Sequence, residues 1–329
     1  MTTLLSLLDF FGKSVLVFVT FAACTAFLLS RLRARRRGEP AVRLREIGAR
    51  WRHNAEAIQR ALLSDRDRRK AEKEAIAREK ADKKRARARS VFVLDFKGDV
   101  LATAVESLRE EVTMVLAVAS EGDRVVVRLE SPGGAVHGYG LAASQLARIR
   151  ARGLPLTVCV DKVAASGGYL MACVANRIVA APFAVVGSIG VVASVPNLHR
   201  VLERWGIDYE DVTAGKYKRT VSVLGPIHEE GRAKLREQIE ETHGLFKTFV
   251  KDMRPALDIE AVATGEHWYG TRAIELGLVD AVGTSDDTLV ELARDCRVFE
   301  VLCDRPIPAR ERILGSVGAL FARLAHLRG

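Results

Sequence analysis

Cysteine is sparse in this 329-residue chain, and nothing in its spacing puts the five residues to use. Cys24, Cys159, Cys173, Cys296 and Cys303 are odd in number and scattered, so they form no disulfide framework and say little about compartment. No CxxC or HExxH spacing is present, so neither a metal nor any other cofactor is expected. The seven histidines stand in no recognisable Ser/His/Asp order, although triads are defined by geometry rather than by order. What is present is a set of small-residue turns at the ends of apolar runs.

The most informative of these is Asp161-Lys162-Val163-Ala164-Ala165-Ser166-Gly167-Gly168-Tyr169, which follows the strand-like run Leu156–Val160. Ser166 is flanked by alanine and glycine, so a substrate carbonyl can approach its hydroxyl. The apolar run Leu170 to Ala175 can form a buried helix whose first N–H groups are free and lie close by. This is how a strand-to-helix nucleophile turn is built. A small residue chosen for close helix–strand packing would explain the motif taken alone; the rest of the chain reverses that preference.

Val125 to Leu129 reads as a buried strand that runs into Glu130-Ser131-Pro132-Gly133-Gly134. Pro132 fixes one torsion, and the glycines permit positive φ and close backbone approach. Their N–H groups can therefore face a ligand oxygen, as an oxyanion hole requires. A nucleophilic serine also needs a base, and lysine serves when burial keeps it neutral. Lys216 and Lys218 both lie in Thr213–Thr220, two residues apart and so on one side of an extended segment. Lys162, four residues before Ser166, is a third candidate. His137 follows the Gly-Gly turn closely, but is read as an ordinary surface or core histidine.

These motifs together resemble the SohB branch of the signal peptide peptidase A family of membrane-bound serine proteases. The resemblance runs from the N-terminal apolar segment to about residue 290. It rests on Leu129–Gly134, Val163–Tyr169, Val186-Gly187-Ser188-Ile189-Gly190-Val191, Ala214–Lys218 and Ala263-Thr264-Gly265-Glu266-His267-Trp268-Tyr269-Gly270. It implies a Ser/Lys dyad with Ser166 as nucleophile and Lys218 as general base, and it is this alignment that prefers Lys218 over Lys216. It further implies that Ser188 orients the lysine and that Gly134 and Gly167 form the oxyanion hole. The implied fold is α/β: a ClpP/crotonase-like spiral of ββα units, preceded by a transmembrane helix and a basic helical linker. Relatives assemble into rings or domes, so a homo-oligomer is expected, with the dyad formed within one chain or between subunits.

The N-terminal region points to a membrane context. Ser14 to Ser30 is seventeen residues without a charge, and Leu4 to Gly12 is also largely apolar, enough to span a hydrocarbon layer of about 30 Å. The arginines at 31, 33, 35, 36 and 37 follow the run, whereas a cleaved signal peptide carries its positive charges before it, so an uncleaved anchor is expected over residues 1–30. Residues 31–90 hold 22 Arg and Lys against 9 Asp and Glu, more than the whole surplus behind the chain's net charge of +10. Arg66 to Arg89 lacks Pro and Gly and reads as a solvated helix or extended linker beside anionic lipid headgroups. The run has no interleaved aromatics and no DNA-binding signature, so nucleic acid is not an expected partner.

From Val91 the chain alternates between strands and helices, the signature of an α/β core with mostly parallel strands. Strands are expected at Val91–Phe96, Arg124–Leu129, Leu156–Val160, Ile178–Ala181, Val185–Val192 and Ile207–Thr213. Helices are expected at Thr103–Ala119, Gly138–Ala151, Tyr169–Ala175, Pro196–Trp205, Glu229–Met253, Glu260–Val262, Gly270–Leu278 and Ser285–Arg294. The protease domain is drawn at 91–295, with 296–329 as a tail whose residues 306–329 form an amphipathic helix. A second apolar run, Ile178 to Val195, contains Pro182, Gly187 and Gly190 and reads as buried strands rather than a membrane span.

The resemblance, with the apolar N-terminal run, therefore implies a membrane-anchored Ser/Lys endopeptidase expected to act on membrane-associated peptides or proteins, remnant signal peptides being one candidate class. A crotonase-like enzyme handling acyl-CoA and a non-catalytic membrane scaffold are the alternatives. The expected location is the bacterial inner membrane. Arginines after the anchor put the catalytic domain in the cytoplasm, whereas family members face the periplasm or outside, so the orientation is left open.

Overall fold

A computed structural model describes residues 41–64, 67, 73 and 89–304. The expected anchor at 1–30, most of the helix at Arg66–Arg89 and the amphipathic tail at 306–329 lie outside the described residues. Val42–Leu302 forms one compact unit.

The chain enters with strand β1 (Ala41–Glu46) and helix α1 (Ile47–Leu62). It then alternates β2 (Ser90–Lys97), α2 (Val105–Val118), β3 (Arg124–Glu130), α3 (Val136–Ala151), β4 (Leu156–Val160), β5 (Val163–Ala165) and α4 (Gly167–Ala172). Next come β6 (Arg177–Ala180), β7 (Val185–Gly187), α5 (His199–Arg204) and the long α6 (Glu229–Met253). The described part closes with α7 (Ile259–Val262), β8 (His267–Tyr269), α8 (Gly270–Ala273), β9 (Ala281–Val282), α9 (Ser285–Leu292) and β10 (Arg297–Asp304).

Seven strands form one sheet in the order β1-β10-β2-β3-β4-β6-β9, and three form a second in the order β5-β7-β8. The pairs β10–β2, β2–β3, β3–β4, β4–β6 and β6–β9 are all parallel. The reason lies in the strand sequences. Phe92, Leu94 and Phe96 alternate with Val91 and Val93, so both faces of β2 are apolar and both are buried. The first set joins a core with Leu108 and Val112 of α2, Leu146 and Ile149 of α3, and Tyr169 and Met171 of α4. The second set packs with Val126, Ile47 of α1, Leu289 of α9 and Val298 of β10. Helices thus cover both faces, and the expected α/β class holds.

The two sheets are joined by a repeated move. After β4, the chain turns at Asp161–Lys162 into the second-sheet strand β5 and then into α4; after β6, it turns at Ala181–Ala184 into β7. Asp161 fixes the first turn, because its carboxylate accepts from the Ser285 backbone N–H at 2.8 Å and caps the start of α9. The Ile178–Val195 run supplies β6 and β7, with Ile178, Ala180, Val186 and Ile189 fully buried, which accounts for its hydropathy. Among the described residues, no helix is long and apolar enough to cross a membrane.

Three differences from the sequence reading have clear causes. The strand expected over Val185–Val192 stops at Gly187, because Gly187 (φ 98°) and Ser188 (φ 52°) turn the backbone out of the extended region. Ile207–Thr213 forms no strand; it is exposed irregular chain with no strand beside it to pair with. The main sheet also takes in β1 and β10, which lie in the segments drawn as linker and tail. Their mixed composition hides them: Arg43 and Arg45 interrupt β1, and Glu300 sits in the middle of β10. Glu300 is buried and paired with Arg45 and Arg128, and Arg128 also meets Asp95 of β2, so a charged ladder crosses four strands.

Candidate active site

The junction of β5 and α4 is a tightly constrained turn. Ser166 has φ 51° and ψ −117°, a conformation side-chain-bearing residues rarely adopt. Its N–H donates to the Gly187 carbonyl at 2.8 Å, and its own carbonyl accepts from the Leu170 N–H at 3.0 Å. The backbone is therefore pinned on both sides while the hydroxyl is left off the helix cap. Behind it, α4 is anchored by Tyr169, whose buried hydroxyl donates to the Leu278 carbonyl at 2.9 Å.

The Ser131–Gly134 segment lies directly against this turn. Ser131 pairs with Ala164 in an isolated parallel bridge: its N–H donates to the Val163 carbonyl, and its carbonyl accepts from Ala165. A Cβ on Gly133 (φ 91°) would lie 2.7 Å from Ser166 Cβ and 2.8 Å from both the Ala165 oxygen and the Gly167 nitrogen. A Cβ on Gly134 would meet the Val100 carbonyl oxygen at 2.2 Å, and one on Gly167 would meet the Tyr139 ring at 2.4 Å. Glycine is thus required here for close approach as well as for torsion.

A hydrogen-bond relay holds the glycine loop. Tyr139 donates its one phenolic proton to the Asp99 carbonyl at 2.8 Å, so the 2.6 Å contact with Ser131 must use the serine proton. Ser131 Oγ in turn accepts from the Gly133 N–H at 3.1 Å. Burial pushes the Tyr139 phenol up from its ordinary pKa, keeping that proton in place. With the Gly133 N–H occupied, the Gly134 and Gly167 N–H groups are left without an acceptor among the described residues.

Ser166, Gly133, Gly134, Gly167 and Ser188 line one cavity of about 970 Å³. Ser188, also at positive φ, is placed by β8: its N–H donates to the Glu266 carbonyl at 2.6 Å, and Trp268 covers Gly187. The Ala263–Gly270 motif therefore positions the chain at Ser188. The opposite wall comes from α6 through Thr242, His243, Leu245, Phe246 and Phe249. The sequence signal for this wall is the i, i+3, i+4, i+7 spacing of Thr242, Leu245, Phe246 and Phe249, which puts them on one face of the expected helix.

The lysines are placed differently. Lys162 is 68% exposed and pairs with Glu130 at 3.1 Å. Lys216 pairs with Glu230 of α6 at 2.6 Å, and Lys216 and Lys234 both approach the Tyr217 ring. The hydrogen bond that Lys216 donates to Glu230 holds its pKa above the ordinary lysine value. Lys218 is exposed on the loop before α6, outside the cavity lining, with its backbone N–H bound to the Gly215 carbonyl at 3.1 Å. The structure thus brings Ser166, Ser188, Gly134 and Gly167 into the lining of one cavity, and Lys218 is not among the residues that line it. His137 is exposed and is not among the residues that line the cavity. No group of His, Cys, Asp and Glu residues among the described residues could hold a metal ion.

Comparison with known proteins is consistent in its direction. The model of the N-terminal part of peptidase family S49 matches residues 2–146, and that of the family's main domain matches residues 148–298. "Probable protease SohB" of Haemophilus influenzae is 57% identical over 211 residues, 64% of this chain and 60% of that protein. Its namesake in Buchnera aphidicola is 54% identical over 213 residues, 65% of this chain and 63% of that protein. The match thus spans a little over three-fifths of the length of these relatives. Among solved structures, the 1510-N membrane protease specific for a stomatin homolog from Pyrococcus horikoshii covers 70% of this chain and 98% of its own. That overlap has 12% identity and a TM-score of 0.42, too slight a likeness to carry function. With two adjoining models of one family covering nearly all of residues 2–298, the chain belongs to peptidase family S49.

Proposed function

We propose that the protein is a serine endopeptidase in which Ser166 is the nucleophile and Lys218 the general base. The observation that carries this reading is Ser166 itself: a hydroxyl held at φ 51° on the edge of a cavity, beside two N–H groups that lack acceptors. In the proposed reaction, neutral Lys218 takes the Ser166 proton as the serine oxygen attacks a peptide carbonyl. The Gly134 and Gly167 N–H groups bind the tetrahedral oxyanion, where one such donor is typically worth about 3–4 kcal/mol. Lys218 then passes its proton to the leaving amine, and water releases the acyl group by the same cycle. Ser188 orients the lysine.

A lysine works as a base only when shielded from water. The chain between Ser188 and Lys218 exposes large apolar side chains, with Val192, Trp205 and Val212 at 86, 74 and 88% exposure, which supports assembly with a second copy that covers them. We place the dyad in that assembled homo-oligomer, with a ClpP/crotonase-like spiral as the protomer. The substrates are apolar peptides of membrane-associated proteins, remnant signal peptides included. The expected N-terminal anchor and the basic segment, by its attraction to lipid headgroups, would hold the enzyme at the bacterial inner membrane.

A fluorophosphonate probe tests the core of this reading. The intact protein should be labelled and should cleave apolar peptides. Both activities should vanish in Ser166→Ala and in Lys218→Ala without loss of the folded state. Labelling that survives Ser166→Ala would end the assignment.

A further inference from the structure

One glycine in the cavity wall is not explained by the fold. Gly140 lies inside α3, past the first turn, where glycine is less stable than alanine because it gives up more backbone freedom. Gly133, Gly134 and Gly167 have reasons to lack a side chain, since a Cβ on any of them would strike a neighbour. Gly140 has no such reason. It is not among the glycines at positive φ, and a Cβ built on it would meet nothing within 4 Å.

That open space is the cavity of Ser166. Val136, Gly140, Ala143 and Ser144 share one face of α3 and all line the cavity, which puts Gly140 at the middle of the face turned toward it. Leu170 of α4 and Phe246 and Phe249 of α6 line the same space. Ser144 adds no free proton, because its hydroxyl donates to the Gly140 carbonyl at 2.8 Å. A side chain at 140 would therefore take up substrate space rather than fill a gap in the core. We propose that Gly140 is a specificity-determining residue, whose missing side chain leaves the subsite beside Ser166 deep enough for a large apolar substrate side chain such as Leu or Phe. The inference deepens the peptidase reading above and rests on it.

The test uses the full-length protein and apolar peptides that carry Ala or Phe at one position at a time around the cleaved bond. In the wild type, one position should favour Phe. Gly140→Leu should lower the Phe-to-Ala ratio of kcat/KM there by about tenfold to a hundredfold, the scale on which an apolar pocket discriminates by size. Gly140→Ala should lower it by a smaller factor. Gly244 is the control: it also lies inside a helix, a Cβ on it would meet nothing within 4 Å, and it does not line the cavity. Gly140→Ala and Gly244→Ala should both raise the melting temperature, and only the first should move the ratio. The proposal is overturned if Gly140→Leu slows the Phe and Ala peptides by the same factor at every position, or if Gly244→Ala moves the ratio as far. It is equally overturned if Gly140→Ala melts markedly lower than the wild type, since the glycine would then serve the fold. Titrating the same peptides against Ser166→Ala, with and without Gly140→Leu, separates the two readings. A size preference in binding that Gly140→Leu removes, with no turnover by the wild type, would sink the dyad alone. Affinities blind to side-chain size would overturn the role of Gly140.

Discussion

Ser166 is held by two sheets and a buried helix, whereas Lys218 lies on an exposed loop that surface contacts tie to α6. The serine's neighbours are buried backbone: β5, the Ser131 bridge, the Gly187 carbonyl and the core around Tyr169. A strained torsion of this kind costs on the order of 1–3 kcal/mol and lasts only where the surroundings over-determine it. The lysine segment is fixed by contacts such as Lys216–Glu230 and Arg219–Asp211, in which most partners are well exposed. A nucleophile needs geometry, which one chain can build locally. A lysine base needs exclusion of water, and whatever covers the loop must supply that.

The sharpest way to test this asymmetry is to put the same methyl group into each region. Gly133 and Gly215 both have positive φ, at 91° and 96°. On Gly133 the methyl would strike Ser166 Cβ, the Ala165 oxygen and the Gly167 nitrogen, none of which can retreat without breaking the turn. On Gly215 it would meet nothing within 4 Å. Gly133→Ala should therefore slow probe labelling by at least about 100-fold, the scale of a misplaced oxyanion donor. Gly215→Ala should cost only the backbone strain of about 1–2 kcal/mol, read by urea denaturation. Equal effects on labelling would mean that the loop is as tightly specified as the turn.

How far each region was legible in the sequence follows the same division. The strand-to-helix turn at Ser166 and the Gly133–Gly134 turn were readable because sharp local geometry demands small residues, and small residues are conspicuous. The central strands were readable because strands buried on both faces carry consecutive apolar residues, as in Val125–Val127. β1 and β10 were not, because the ladder of Arg45, Glu300, Arg128 and Asp95 gives edge-side strands the composition of a solvated segment. The Ser131–Tyr139 relay had no signal at all, since it joins a turn to the next helix by a bond that no spacing rule encodes. The choice among Lys162, Lys216 and Lys218 was likewise beyond spacing. It depends on which lysines find carboxylates, and those carboxylates are 32 residues away for Lys162 and 14 for Lys216.

A smaller effect is expected where the turn is supported rather than occupied. Tyr139→Phe removes the hydroxyl that links Ser131 to the Asp99 carbonyl, leaving that carbonyl and the Ser131 proton without their partner. Losing a buried partner in this way typically costs about 1–3 kcal/mol. Urea denaturation should report a loss in that range, and probe labelling should slow by less than in Gly133→Ala, since Gly133 can still donate to Ser131. If Tyr139→Phe leaves stability unchanged, the relay is not what holds the glycine loop, and the rigidity assigned to the nucleophile side falls back on β5 and α4.

The smallest effect belongs to the lysine side. Lys216 and Glu230 are 66% and 61% exposed, and exposed pairs seldom contribute measurably to stability. Lys216→Ala should therefore leave the thermal midpoint unchanged and alter probe labelling by less than about threefold, within what an exposed pair can contribute. The electrostatics point the same way. The bond donated to Glu230 raises the Lys216 pKa, so this lysine keeps its proton to higher pH than an ordinary lysine, the reverse of what a general base requires. Lys218, two residues on, has no such carboxylate among the ion pairs of the described residues. Abolished labelling in Lys216→Ala, with the fold intact and Lys218→Ala still active, would transfer the base to Lys216. It would also require the Glu230 pair to break before catalysis.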